Sequence, residues 1–170
     1  MALFYGVTVP DALLQALQDG NLVLFLGAGI SKEEPTCLPD FLGLVRDLAK
    51  DAHSRYDSKQ SLDMNLERLQ QNGVDVHTAI AQKMEKPEGC TNAWHHLAAS
   101  FFAGTEDVRI VTTNFDAMLS FALAGSNVKE YVAPALPLGD DFHGLVYLHG
   151  KYTEPDSLIA TSGDFAKAYL

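Results

Sequence analysis

Asn21-Leu-Val-Leu-Phe-Leu-Gly-Ala-Gly-Ile-Ser31 is the stretch on which the fold of this chain turns. Its apolar run at 21–26 stops at a glycine. That pattern is expected of a strand buried on both faces of a parallel sheet, because alternation appears only where one face meets water. We read it as the first central strand. The Gly-x-Gly that follows is a weak signal alone, since position 32 is Lys where the dinucleotide fingerprint Gly-x-Gly-x-x-Gly has its third glycine. That fingerprint also places an acidic residue about 20 positions on, after a second strand. Here Asp47 and Asp51 fall on a predicted helix, so an ordinary dehydrogenase is disfavoured.

Upstream of this run, Thr8 and Asp11 have capping-box spacing and Pro10 suits an early helical position. Leu13, Leu14 and Leu17 then share a face before Gly20, which predicts a short amphipathic helix. Downstream, Phe41, Leu44, Val45, Leu48 and Ala52 follow helical spacing over 39–52, and residues 61–71, 74–84 and 91–103 read as helices too. Val108-Arg-Ile-Val-Thr112 is the next strand, followed by a helix over 115–123 with Gly125 as its stop. Leu145-Val-Tyr-Leu148 makes a third strand, and Leu158-Ile-Ala-Thr161 a fourth before a helix from Asp164. Residues 54–61, 85–89 and 125–143 resemble linkers, and there is no internal repeat. The expected class is α/β: a Rossmann-like parallel sheet flanked by helices, with a helical insertion after the first strand.

With 170 residues, 47% of them hydrophobic, the chain can bury a sizeable core, and one domain over 1–170 is expected. A net charge of −10 argues against direct nucleic-acid binding, where Lys and Arg must neutralise phosphates. It also requires an anionic ligand to be held by backbone amides rather than by overall attraction. No apolar run approaches the roughly 20 residues a bilayer needs, so no membrane association is expected and a cytoplasmic location is the default. Cys37 and Cys90 have neither metal-ligand nor disulfide-framework spacing, and no His/Cys/Asp/Glu cluster has zinc spacing, so no metal is expected.

In open α/β sheets, ligands bind beyond the carboxyl ends of the strands. Three predicted strands deliver polar groups there: Gly27-Ala-Gly-Ile-Ser31, Thr112-Thr-Asn-Phe-Asp116 and His149-Gly150. Parallel strands would bring all three to one edge. Gly27 and Gly29 could adopt backbone angles closed to other residues and let a pyrophosphate approach the amides. Taken singly, each residue also has a plainer reading. Asn114 could be a helix N-cap, Asp116 a first-turn carboxylate, and His149 a buried histidine satisfied by one hydrogen bond. Of His95 and His96, beside Trp94 and Leu97, one is expected to pack and one to be solvated; His53 and His77 fall on predicted helices without spaced partners, and His143 falls in a loop.

At these residues the chain resembles the sirtuin family, and more closely its bacterial branch of NAD-cleaving domains in antiphage defence proteins. The resemblance rests on three motifs in family order: Gly27-Ala-Gly-Ile-Ser31 with Leu38-Pro39-Asp40-Phe41 after it, Thr112-Thr-Asn-Phe-Asp116, and Leu148-His149-Gly150. It implies that Gly27, Ala28, Gly29, Ser31 and Thr113 hold the cofactor's phosphates and ribose, and that Asp116 meets the nicotinamide carboxamide. It further implies that Asn114 positions ribose and water, and that His149 is a general base. Deacylating family members carry a four-cysteine zinc module after the His-Gly motif, and no cysteine follows Cys90 here; they also have Arg where this chain has Leu42. The implied activity is therefore NAD hydrolysis to nicotinamide and ADP-ribose, with NAD as substrate, in a defence effector. An NAD-dependent deacylase or a silent nucleotide-binding module are the alternatives. The family domain continues through a second glycine-containing segment, so the C-terminal part of the domain is expected beyond residue 170. A C-terminal sensor region or partner protein and a homo-oligomeric assembly are expected as well.

Overall fold

The computed structural model describes residues 2–4, 7–103, 107–138 and 142–170. An antiparallel hairpin of β1 (Ala2–Phe4) and β2 (Val7–Val9) leads into α1 (Asp11–Gln18). Thr8 thus lies in a strand, and Pro10 stands at the N-cap without a side-chain hydrogen bond. The capping box expected there does not form, because pairing of β2 takes Thr8 away from the helix end.

β3 (Leu24–Leu26) opens a wholly parallel sheet and runs into a 3-10 turn, Ala28–Ser31. The insertion that follows is helical, as its spacing predicts: α2 (Phe41–Asp51), α3 (Leu62–Gln71), α4 (Val76–Met84) and α5 (Ala93–Ser100). Asp40 caps α2 by accepting from the Gly43 amide at 2.9 Å, and Asp75 caps α4 through Thr78 at 3.1 Å. The chain then makes β4 (Arg109–Thr112), α6 (Met118–Ala122), β5 (Glu130–Val132), β6 (Gly144–Tyr147) and α7 (Ser162–Tyr169). The strand order is β3-β4-β6-β5, every neighbour parallel. This is the expected Rossmann-like arrangement, a parallel sheet flanked by helices.

Strand alternation divides the sheet into two faces. Leu24, Ile110 and Leu145 stand in register, as do Leu26, Thr112 and Tyr147, and this face is covered by Ala98 and Phe102 from the α5 region and Leu119 and Leu123 from the α6 region. A second core joins Leu44, Val45 and Leu48 of α2 to Leu66, Leu69, Val76 and Ile80 of α3 and α4. It reaches Phe115, Leu158 and Ala160, so the helical insertion is packed against the carboxyl end of the sheet.

Three expectations are corrected. β3 is an edge strand of the described residues and is not buried on both faces: Phe25 is 64% exposed and Val23 42%. An unbroken apolar run reports composition and cannot by itself say how many neighbours a strand has. Residues 158–161 are extended but pair with no strand; the Ile159 amide donates instead to the His149 carbonyl at 2.9 Å. The stretch 125–143, read as a linker, contains β5, whose three residues are too few for periodicity to register; positions 139–141 of it lie outside the described residues. Among the described residues no helix is long and apolar enough to cross a membrane.

Candidate active site

Beyond the carboxyl ends of β3, β4 and β6 lies a cavity of about 260 Å³. Six of the eight residues the sequence singles out line it: Ala28, Ser31, Thr113, Asn114, Asp116 and His149. The rest of its wall is apolar, from Pro39, Phe41, Leu44, Met84, Phe115, Ile159 and Phe165. Gly27 is not in that wall, and Gly29 instead borders a shallower groove with Leu24, Ile30 and Trp94.

Thr112 joins the first two strand ends, donating from Oγ1 to the Leu26 carbonyl at 3.0 Å and accepting from the Asn114 amide at 3.0 Å. The N-cap position of α6 is Ala117, so Asn114 does not cap the helix, whereas Asp116 meets its first residue, Met118. Both side chains also reach Ser31, 1% exposed and 83 and 85 positions away. The Ser31 hydroxyl donates to Asp116 Oδ2 at 2.9 Å, and Asn114 Nδ2 donates to Ser31 Oγ at 3.3 Å. Asp116 Oδ1 accepts from the Met118 amide at 3.0 Å. Burial raises the Asp116 carboxyl above the ordinary aspartate value, partly offset by the Met118, Ser31 and Asn114 hydrogen bonds. Asn114 Oδ1 is buried and has no hydrogen-bond partner among the described residues. A buried acceptor left in that state costs about 1–3 kcal/mol, which a donor entering the cavity would recover.

His149 forms the opposite wall. Its ring stands edge-on to Phe165 at 5.2 Å and to Tyr169 at 6.5 Å between centroids, both on α7. Among the described residues neither ring nitrogen has a hydrogen-bond partner, so the reading of a histidine satisfied by one bond does not hold. Burial lowers its pKa and favours the neutral imidazole, the form that accepts a proton. α7 is fixed by a capping box at Thr161, where Asp164 Oδ2 accepts from the Thr161 amide at 2.9 Å and hydroxyl at 2.8 Å, and also lies 2.8 Å from His77 Nε2. The Tyr169 hydroxyl donates to the Leu148 carbonyl at 3.0 Å and ties the helix back to the end of β6.

The glycines behave differently from expectation. Gly27 has φ −118° and Gly29 is not in the left-handed region, so neither is needed for its backbone angle. What distinguishes Gly29 is space: a Cβ there would meet nothing within 4 Å. The amides of Ala28 and Gly29 donate to no protein acceptor among the described residues. The strained glycine is Gly150, at φ +84°, where a Cβ would run into the Ser157 carbonyl.

Two residues of the site were missed in the sequence. Asn92 caps α5, accepting from the Trp94 and His95 amides at 3.0 and 3.3 Å, and its Nδ2 donates to the carbonyls of Ile30 and Glu33 at 2.9 and 3.2 Å. His95, fully buried, places Nε2 3.1 Å from Ser31 Oγ. The available signal was Asn-x-x-His at a helix start, a capping box with His where Glu or Gln is usual.

Residues 108–170, which carry β4 to α7 and with them Asn114, Asp116 and His149, match the family model of the SIR2-like domain. This supports a sirtuin-like family for that part of the chain. A relative from Sinorhizobium fredii, the uncharacterized protein y4cA, is 28% identical over 191 residues. The match covers 97% of this chain and 16% of that relative, so the chain spans about a sixth of the relative's length. Among the described residues no group of three or more His, Cys, Asp or Glu side chains could hold a metal ion.

Proposed function

We propose that the chain binds NAD and cleaves its nicotinamide–ribose bond, releasing nicotinamide and ADP-ribose, as the effector region of a longer bacterial defence protein. The observation that carries this reading is the meeting of Ser31, Asn114, Asp116 and His149 at one cavity although they come from three separate strand ends. At about 260 Å³ the cavity is below the roughly 300–1,000 Å³ of sites that enclose a whole drug-sized ligand, so it would take the nicotinamide end alone. The pyrophosphate would pass over the unpartnered Ala28 and Gly29 amides, with Thr113 beside them.

In this reading Asp116 accepts from the carboxamide of nicotinamide, and the unpartnered Asn114 Oδ1 accepts from a ribose hydroxyl or the attacking water. The leaving pyridinium is a cation that departs as a neutral base. A largely apolar wall disfavours the charged form and favours its departure, and it keeps bulk water from the reacting carbon. Water adds to the ribose carbon as the bond to the ring nitrogen breaks, and its proton passes to the neutral His149 imidazole. The electron pair of the broken bond stays on nicotinamide.

Purified full-length protein incubated with NAD, and with candidate activators, should release nicotinamide. Asn114→Ala should slow release by at least about a hundredfold while leaving the protein folded. Near-native release by that variant would remove the mechanism, and release that depends strictly on an acyl-lysine peptide would replace hydrolysis by deacylation.

A further inference from the structure

The hydrogen bonds around Ser31 form a closed inventory, and its terminus is a residue on the insertion rather than on the sheet. The Asn92 backbone amide donates to His95 Nδ1 at 3.1 Å, completing the capping box of α5. A nitrogen that accepts from an N–H cannot itself carry a proton, so the ring hydrogen resides on Nε2. Nε2 therefore donates across 3.1 Å to Ser31 Oγ. Ser31 Oγ also receives the Asn114 amide group at 3.3 Å, which fills both of its lone pairs. Its one hydrogen has a single remaining acceptor, Asp116 Oδ2 at 2.9 Å. The same inventory decides the orientation of Asn114: its NH2 faces Ser31, and its carbonyl oxygen is the atom left without a partner.

We propose that His95 is a positioning residue, locked as the neutral Nε2–H tautomer, that orients the Ser31 hydroxyl toward Asp116 and thereby presents the Asn114 carbonyl oxygen to the ligand. Without that donor, Ser31 is free to turn its hydrogen away from Asp116. The Asn114 amide then loses the constraint that distinguishes its two ends. His95 touches no ligand in this arrangement and acts only through Ser31. Asn92 serves the same chain twice, since it caps the helix that carries His95 and bonds the Ile30 and Glu33 carbonyls that flank Ser31. The consequence for NAD rests on the function proposed above; the tautomer and the direction of the Ser31 bond do not.

The experiment separates this role from helix capping. Gln at position 95 can accept from the Asn92 amide and donate to Ser31; Glu can accept but, ionised, cannot donate; Leu can do neither. Calorimetric titration with NAD should place His95→Gln within about threefold of the wild type, with His95→Glu and His95→Leu weaker by about tenfold or more. On a Ser31→Ala background, His95→Leu should change affinity by less than about twofold. Equal affinity for folded Gln and Glu variants would reduce His95 to a cap and overturn the proposal. So would additive losses in the double variant. A readout that needs neither NAD nor a variant is long-range 15N–1H NMR of the wild-type ring, expected to show hydrogen on Nε2 and none on Nδ1 at neutral pH. The opposite tautomer would overturn the proposal directly. An expected tautomer in a protein that fails to bind NAD would leave the positioning of Ser31 standing and remove the function proposed for the site.

Discussion

The two histidines that flank the cavity are held by opposite means. His95 is fixed by hydrogen bonds at both ring nitrogens, to a backbone amide and a serine hydroxyl, and is fully buried. His149 is fixed by packing against Phe165 and Tyr169, and its nitrogens have no partners among the described residues. Burial lowers the pKa of both, to about 4 for His95, with a smaller contribution there from neighbouring His96. The same electrostatic outcome thus serves two different capacities. A ring with both nitrogens engaged can orient a neighbour but cannot exchange a proton without breaking a bond. A ring held by its faces and edges keeps a nitrogen free to accept one.

The comparison is broken most sharply by making one substitution on both walls. His149→Gln removes a proton acceptor that an amide cannot replace, so nicotinamide release should fall by at least about a hundredfold. His95→Gln preserves the donor and acceptor pattern and should leave release within about threefold. Equal losses, measured by initial rates at saturating NAD, would erase the distinction between the walls.

A large effect on stability is expected behind His149. Gly150 has φ +84° and its Cβ position is occupied by the Ser157 carbonyl, so Gly150→Ala must strain the backbone and displace residues 157–159, which bond the His149 region. A loss of about 3 kcal/mol or more in urea unfolding is expected, from the left-handed backbone cost and an overpacking clash with main chain together. A loss below about 1 kcal/mol would show that this wall is less rigid than its geometry implies.

The hydrogen-bonded wall should be the pH-sensitive one. Between pH 6.5 and about 4 the unfolded chain binds a proton at His95 that the folded chain refuses, so its contribution to stability is lost on acidification through that window. The contribution is on the order of 3 kcal/mol. His149 adds in the same direction. Asp116 opposes both, because a carboxyl raised by burial is protonated more readily folded than unfolded above pH 3.8, and it loses stability as pH rises. Urea unfolding at pH 7 and pH 5 should show a smaller pH dependence for His95→Gln than for the wild type. An unchanged difference would assign the acid sensitivity elsewhere.

The sequence made the sheet legible where apolar runs ended in small or polar residues, because a buried parallel strand and the loop at its carboxyl end leave a compositional boundary. The four insertion helices were legible from their spacing, as Leu44, Val45 and Leu48 show by being buried together. β5 was not, because three residues hold no period, and the exposure of Phe25 was not, because strand neighbours are set by distant chain. Within the site, residues immediately after strands could be located from topology alone. His95 and Asn92 could not, since they belong to a helix start whose position over Ser31, 64 positions from His95, is set by the packing of the chain between them. A hydrogen-bond network between elements leaves little local pattern, whereas a strand end does.

The smallest expected change in stability lies at Gly29, and it tests the glycine turn without disturbing either histidine. An alanine there meets nothing within 4 Å and needs no left-handed backbone, so unfolding should be unchanged or strengthened by up to about 1 kcal/mol, through the smaller conformational freedom of the unfolded chain. If a pyrophosphate lies against the Ala28 and Gly29 amides, the added methyl stands in the ligand's space. NAD affinity should then fall by about tenfold to a hundredfold, the scale of an overpacked contact. Stability and affinity would move in opposite directions, a pattern that a purely structural turn cannot produce. Calorimetric titration alongside urea unfolding reads both. Retained affinity would mean that the glycine is dispensable for the ligand, and that any phosphate contact runs through Ala28, Thr113 and the cavity wall alone.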